Sequence, residues 1–188
     1  MKTALVIGGC KSGKTHHALE RALAWGLPEK IYLATCVPQD REMRERIRLH
    51  RQERGSGWTT VEEPLDPERA LAKLAGPDAV VVLDCLTLWI NNLLLERMED
   101  AALCRRFSSL ATALIHASGP VIVVSNEVGT GIVPENPLAR RFRDLAGLAN
   151  QTVAGAVDQV LWMVAGIPLT VKGAVVASCP QERAHGRT

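Results

Sequence analysis

The 188-residue sequence predicts one α/β domain: a mostly parallel sheet with helices on both faces. Three observations predict it. Short β-branched runs alternate with helical segments along the chain. Two of those runs, Ala79–Asp84 and Pro120–Ser125, are apolar almost throughout, as strands covered on both faces are. A glycine-rich octapeptide joins the first strand to the first helix.

In chain order, Thr3–Ile7 reads as a strand that stops at glycines, and Lys30–Thr35 as a second. Ala79–Asp84, Pro120–Ser125 and Gln159–Val164 follow, and Leu169–Lys172 adds an edge strand through the turn at Gly166–Pro168. Helices are predicted at Lys14–Trp25, Asp40–Arg54 and Asp66–Ala75. In the last of these, Asp66 is placed to cap the helix and Pro67 takes the first helical position. Leu86–Phe107, Ser108–Ala117 and Pro137–Val157 are the remaining helical segments. Right-handed crossovers bring the C-terminal ends of the parallel strands to one edge, where such folds bind ligands. Residues 1–175 form the predicted catalytic domain, and the polar 176–188 segment a frayed tail.

Composition narrows the function classes. Apolar residues make up 47% and charged residues 22%, an ordinary globular balance rather than a disordered one. A net charge of +2 gives no overall pull toward nucleic acid or membrane. The five cysteines are scattered and none forms a CxxC pair, which argues against a disulfide framework and against structural zinc. Met1–Ile7 lacks the features of a secretory signal, and no apolar run is long enough to span a bilayer. A cytoplasmic protein is expected.

The octapeptide Gly8-Gly9-Cys10-Lys11-Ser12-Gly13-Lys14-Thr15 fits the phosphate-loop pattern GxxxxGK[ST] without a mismatch. Glycines let the backbone curl until successive N–H groups point inward at phosphate oxygens. Lys14 supplies a point charge to the β- and γ-phosphates, and Thr15 a hydroxyl for Mg²⁺. The helix that starts there turns its positive end toward the anion. The motif follows a strand and opens a helix, as this mechanism requires. The fold expectation is therefore a P-loop NTPase sheet of the RecA-like kind. Such enzymes also place an acid at the end of a neighbouring strand to hold Mg²⁺ or its waters, and Asp84 has that position.

The helix Asp40–Arg54 carries a run of charges, yet Met43, Ile47 and His50 fall on one side of it. On residues alone, His50 reads either as a core histidine or as a nucleophile for an α-phosphate, with Arg46 and Arg54 nearby to neutralise charge. His16 and His17 read as helix-surface or packing residues. Asn126 and Glu127 end the fourth strand and should face the cleft, where loop capping competes with a phosphate, metal or acceptor role. Two rivals stand at this level: a small-molecule P-loop kinase without nucleotidyl transfer, and a nucleic-acid-dependent ATPase module. The second rests on the arginine-rich helix alone; near-neutral charge and few aromatics speak against it.

Several segments together resemble the bifunctional adenosylcobinamide kinase / adenosylcobinamide-phosphate guanylyltransferase family of cobalamin biosynthesis. They are Gly8–Thr15, Ala34–Cys36, Arg46–His50 within its helix, Asp84–Trp89 and Asn126–Asn136, with Leu138–Arg140 and Arg143–Asp144 following. The resemblance covers about residues 1 to 165. It implies that His50 is the nucleophile that takes GMP from GTP. It implies that Gly8–Thr15, Ala34, Thr35, Cys36, Arg51, Gln52, Glu53, Arg54, Glu62 and Asp84 line the nucleotide site. Cys36 stands where serine is frequent in the family, and Asp84 where some members carry glutamate. The resemblance also implies Mg²⁺ with ATP or GTP, adenosylcobinamide as acceptor, and a homotrimer.

Overall fold

The computed structural model describes residues 2–38 and 41–174; within the second helix the side chains of positions 42, 43, 46, 49, 50 and 53 lie outside the described set. The elements run β1 (Thr3–Gly8), α1 (Lys14–Leu23), β2 (Glu29–Ala34), α2 (Arg41–Arg54), β3 (Thr59–Glu62), α3 (Pro67–Leu74) and β4 (Ala79–Asp84). Then come α4 (Leu86–Leu95), α5 (Asp100–Ile115), β5 (Val121–Asn126), α6 (Pro137–Ala156), β6 (Gln159–Val164) and β7 (Ile167–Lys172). The predicted 176–188 tail lies outside the described residues.

The seven strands form one sheet in the order β3-β2-β4-β5-β1-β6-β7. All neighbours are parallel except β6 and β7. Alternating side chains divide the core between two faces. Leu5, Leu33, Val81, Leu83, Val121 and Val123 point to one face, packed with side chains of α3, α4, α5 and α6. Val6, Val80, Val82, Ile122 and Val124 point to the other and meet Ala18 and Ala22 of α1. The single α/β domain with a covered, mostly parallel sheet is as the sequence predicts.

Three local expectations are corrected. The strand β3 was not predicted, because Thr59–Glu62 is four residues of mixed polarity with no apolar run; pairing with β2 makes it a strand. The expected junction between helices at Phe107 and Ser108 falls instead at Glu96–Glu99. There Arg97 adopts a left-handed φ of 57°, its N–H bonds to Leu94 O at 3.0 Å, and Met98 N–H bonds to Leu93 O at 3.4 Å. This is a Schellman stop, normally built on glycine; an arginine in that place carries no sequence signal. Asp66 precedes α3 but makes no capping bond: its carboxylate pairs with Arg106 at 2.8 Å. Glu63 Oε1 instead accepts from the N–H groups of Leu65 at 3.1 Å and Asp66 at 2.9 Å.

The edge strand begins two residues earlier than expected. Ala165 and Gly166, at φ 50° and 82°, form the two-residue turn, and that pair of positive angles suits the twist of a hairpin.

One close approach sets a test of the packing. A Cβ on Gly119 would lie 1.9 Å from Gly76 O and 2.5 Å from Ala79 O. Both obstacles are backbone carbonyls at the entrance to the sheet, so neither can swing aside. Gly119→Ala is expected to destabilise the protein by about 3 kcal/mol. Urea unfolding measures it, and an unchanged midpoint would contradict the packing described.

Candidate active site

The register brings Gly8, Ala34, Glu62, Asp84 and Asn126 to the C-terminal edge of adjacent parallel strands. The phosphate loop leaves β1 at Gly8. A Cβ on Gly8 would meet Met163 O at 2.6 Å and Ser12 Oγ at 2.8 Å, so the loop turns too tightly over β6 for any side chain. Gly13, at φ 86°, makes the left-handed step into α1 that a side chain would resist. Lys11 holds φ 51° between them.

Within this curl Lys14 is only 8% exposed, and its Nζ donates to Gly9 O at 2.6 Å. The ammonium is thus folded back over the loop rather than extended into solvent. Ser12 Oγ is buried and has no hydrogen-bond partner among the described residues. A buried orphan hydroxyl is costly unless a ligand oxygen completes it. Cys10 and Lys11 are exposed and Gly9 opens onto space, so the loop's outer side is accessible.

Asp84 lies at the centre of the described polar contacts. Its Oδ2 accepts from Thr15 Oγ1 at 2.9 Å and from Tyr32 Oη at 2.7 Å. Burial, reinforced by the Asp84 charge, pushes the Tyr32 hydroxyl far above its usual range, so it remains a donor. Thr15 and Asp84 come from α1 and β4 and meet directly beside the loop. Among the described residues no group of three or more His, Cys, Asp or Glu side chains gathers as a metal cage. One hydroxyl and one carboxylate beside a phosphate loop suit Mg²⁺, a hard ion that takes few protein oxygens and draws the rest from phosphates and water.

The C-terminal end of α2 reaches the same edge. Arg54 stacks on the Tyr32 ring, its guanidinium carbon 3.5 Å from the centroid, and donates to Thr60 Oγ1 at 3.3 Å. Arg51 forms an ion pair with Glu62 at the end of β3. The chain Arg54–Tyr32–Asp84–Thr15 therefore links the end of α2 to the phosphate loop. Position 50 precedes Arg54 by one helical turn and shares its helix face. The side chains of His50 and Glu53 are outside the described set, as are those of Met43 and Arg46. Gln52 is exposed, and no described contact brings it into this cluster.

Thr35 is fully buried: its Oγ1 donates to Cys85 O at 2.8 Å and accepts from Cys85 N–H at 2.9 Å, which splices the exits of β2 and β4. Ala34 O accepts from Glu63 N–H at 2.9 Å, and Cys36 is half-buried just beyond. Asn92 of α4 donates to Thr35 O at 2.7 Å and to Pro64 O at 3.1 Å, joining the exits of β2 and β3. Burial pushes the Cys85 thiol up to about 12, with the Asp84 charge adding to it, so it stays neutral. Among the described residues, Cys10, Cys36, Cys85 and Cys104 form no disulfide. His16 is exposed and pairs with Glu20 at 3.2 Å, while burial, and then Arg21, lower the pKa of His17.

At the end of β5, Asn126 Nδ2 donates to Thr87 Oγ1 at 2.8 Å, and Asn150 Nδ2 donates to Asn126 O at 3.3 Å. Glu127 N–H donates to Gly8 O at 3.0 Å, which ties this strand end to the first residue of the phosphate loop. Sequence reasoning missed Tyr32, Thr60, Thr87 and Asn92. Tyr32 offered the one available signal, as the only tyrosine in the chain and two residues from a strand end at the ligand edge.

The family described as cobinamide kinase / cobinamide phosphate guanyltransferase matches residues 4–171. The bifunctional adenosylcobalamin biosynthesis protein CobU of Salmonella typhimurium is 39% identical over 180 residues, covering 89% of this chain and 98% of that protein. The Escherichia coli protein of the same name is 38% identical over 180 residues, with the same coverage. The bifunctional adenosylcobalamin biosynthesis protein CobP of Pseudomonas aeruginosa is 39% identical over 173 residues, covering 90% of this chain and 96% of that one. Among solved structures, the RadB recombinase aligns with a TM-score of 0.48 at 20% identity, covering 85% of this chain and 73% of that chain.

Proposed function

The chain belongs to the cobinamide kinase / cobinamide phosphate guanylyltransferase family, and from that premise we propose that one strand edge performs both reactions, with the phosphate loop holding the nucleotide and His50 carrying GMP. The observation that carries this reading is the contact chain from Thr15 through Asp84 and Tyr32 to Arg54. It joins the only helix that bears His50 to the phosphate loop.

In the kinase reaction a nucleoside triphosphate gives its γ-phosphate to the hydroxyl of adenosylcobinamide. The residues here do this by placement and charge neutralisation. Amides of Gly9–Lys14 bind the phosphate oxygens. Lys14 leaves Gly9 O for the β- and γ-phosphates, and Ser12 Oγ gains a partner. Thr15 and Asp84 would hold Mg²⁺, which neutralises phosphate charge when bound. Tyr32 keeps Asp84 oriented through its bond to the same carboxylate oxygen, Oδ2.

In the second reaction the imidazole of His50 attacks the α-phosphorus of GTP. A P–N bond forms, the α–β bridging P–O bond breaks, and pyrophosphate leaves. A phosphate oxygen of adenosylcobinamide phosphate then attacks the same phosphorus and displaces His50, giving adenosylcobinamide-GDP. One difficult displacement becomes two. Arg51 and Arg54, one and four residues on, bring positive charge to that region. Ala34, Cys36 and Glu62 are assigned to the nucleotide's sugar and base, whereas Thr35, expected to line the site, is fully buried against Cys85 and holds the strand end behind them; Gln52 and Glu53 are assigned there on the resemblance alone.

The test is mass spectrometry after incubation with GTP and Mg²⁺. A GMP adduct on the peptide containing His50 is expected. A kinase without nucleotidyl transfer would show no adduct while still phosphorylating adenosylcobinamide.

We also propose a cytoplasmic homotrimer. Among the described residues no helix is long and apolar enough to cross a membrane. The β6–β7 hairpin exposes Trp162, Val164, Ile167, Leu169 and Val171, an apolar area that supports self-association. Light scattering is expected to give three times the 20.4 kDa chain mass, and a monomer would refute it.

A further inference from the structure

Transfer of phosphate to an alcohol leaves one requirement unmet in the mechanism above: the acceptor hydroxyl must lose its proton. The strand order places β5 between β4 and β1. Residues that end β5 therefore stand between Asp84 and the start of the phosphate loop. Three polar side chains occupy this stretch. Asp84 is engaged by Thr15 and Tyr32 and is placed for the cation. Asn126 is turned to Thr87, and an amide takes no proton at neutral pH. Glu127 is the remaining carboxylate.

Its placement is fixed at several points. The Glu127 N–H holds Gly8 O at 3.0 Å, so the residue moves with the phosphate loop. Its Oε1 accepts from Gly129 N–H, and Arg143 of α6 donates to Gly129 O. The turn that grips one carboxylate oxygen is thus braced against the long helix. The side chain is half-buried rather than free in solvent.

We propose that Glu127 is the general base of the kinase reaction. The acceptor oxygen bonds to the γ-phosphorus as the bond from that phosphorus to the β-phosphate oxygen breaks. The electron pair leaves on the nucleoside diphosphate, and the hydroxyl proton passes to the Glu127 carboxylate. Such proton transfer contributes on the order of 10²- to 10⁴-fold. The inference rests on the kinase half of the proposed function. It also separates the two reactions, because the acceptor in GMP transfer is a phosphate, already ionised near neutral pH, and has no hydroxyl proton to give up.

The experiment uses Glu127→Gln and Glu127→Asp in the full chain. Gln retains an oxygen that can accept from Gly129 N–H, so it preserves the turn while removing the base. Kinase kcat with adenosylcobinamide and ATP is expected to fall roughly 100-fold or more in Glu127→Gln. The acceptor KM and GTP-dependent labelling at His50 should stay within about threefold of wild type, since neither depends on the base. Glu127→Asp, with the carboxylate set back, is expected to lie between the two. Kinase kcat in Glu127→Gln within threefold of wild type would overturn the assignment. So would an equal fall of kinase and His50 labelling in both variants, which marks a collapsed turn. Wild-type protein with no kinase activity at all would instead sink the functional reading on which this one stands.

Discussion

His50→Ala is expected to take up no GMP from α-labelled GTP and to form no adenosylcobinamide-GDP, while ATP-dependent phosphorylation of adenosylcobinamide persists. The loss should be complete within detection, because the substitution removes the atom that bonds to phosphorus rather than weakening a contact around it. An alanine at position 50 sits in a 14-residue helix and suits it, so folding should be unaffected. The neighbouring anchors, Arg51 to Glu62 and Arg54 on Tyr32, remain in place. Acid-labile, alkali-stable label on wild-type protein and none on the variant would establish the linkage. Label persisting on His50→Ala would assign the nucleophile elsewhere.

Lys14→Ala is expected to disable both reactions together. The residue is only 8% exposed and its Nζ is held 2.6 Å from Gly9 O, so its charge is confined to the loop's interior. Water screens such a charge poorly, and its bonds to phosphate oxygens are charge-assisted. Loss of one such group at a phosphoryl-transfer site costs on the order of 10²- to 10³-fold in rate. Both kcat for the kinase and the rate of His50 labelling should fall by that amount or more. Wild-type rates of either reaction in Lys14→Ala would mean that this reaction does not use the phosphate loop. The contrast between the two variants is the useful result: position 14 serves two reactions, position 50 serves one.

Much of the fold was legible because local chemistry and tertiary context agreed. Ala79–Asp84 could only be a doubly covered strand, and it is. The octapeptide at Gly8–Thr15 needs its glycines for steric reasons that the observed carbonyl at 2.6 Å from a Gly8 Cβ makes explicit. What escaped was context-dependent. β3 is a strand because β2 offers it an edge, and Arg97 ends a helix without the residue that usually announces the stop. Asp66 looked like a cap, yet a partner 40 residues away claims its carboxylate.

The candidate site divides in the same way. By itself the sequence determined the phosphate loop, the acid at the end of β4, and the family. Each of these is written in short-range spacing or in a continuous motif. Only the tertiary structure decided that Tyr32 joins Arg54 to Asp84, that Arg51 meets Glu62, and that Glu127 is tied to the loop at Gly8. Those contacts depend on strand order and register, which bring residues 11 to 119 positions apart to one edge of the sheet. Side-chain periodicity reports which face a residue takes, but it carries no information about which strand will lie beside it.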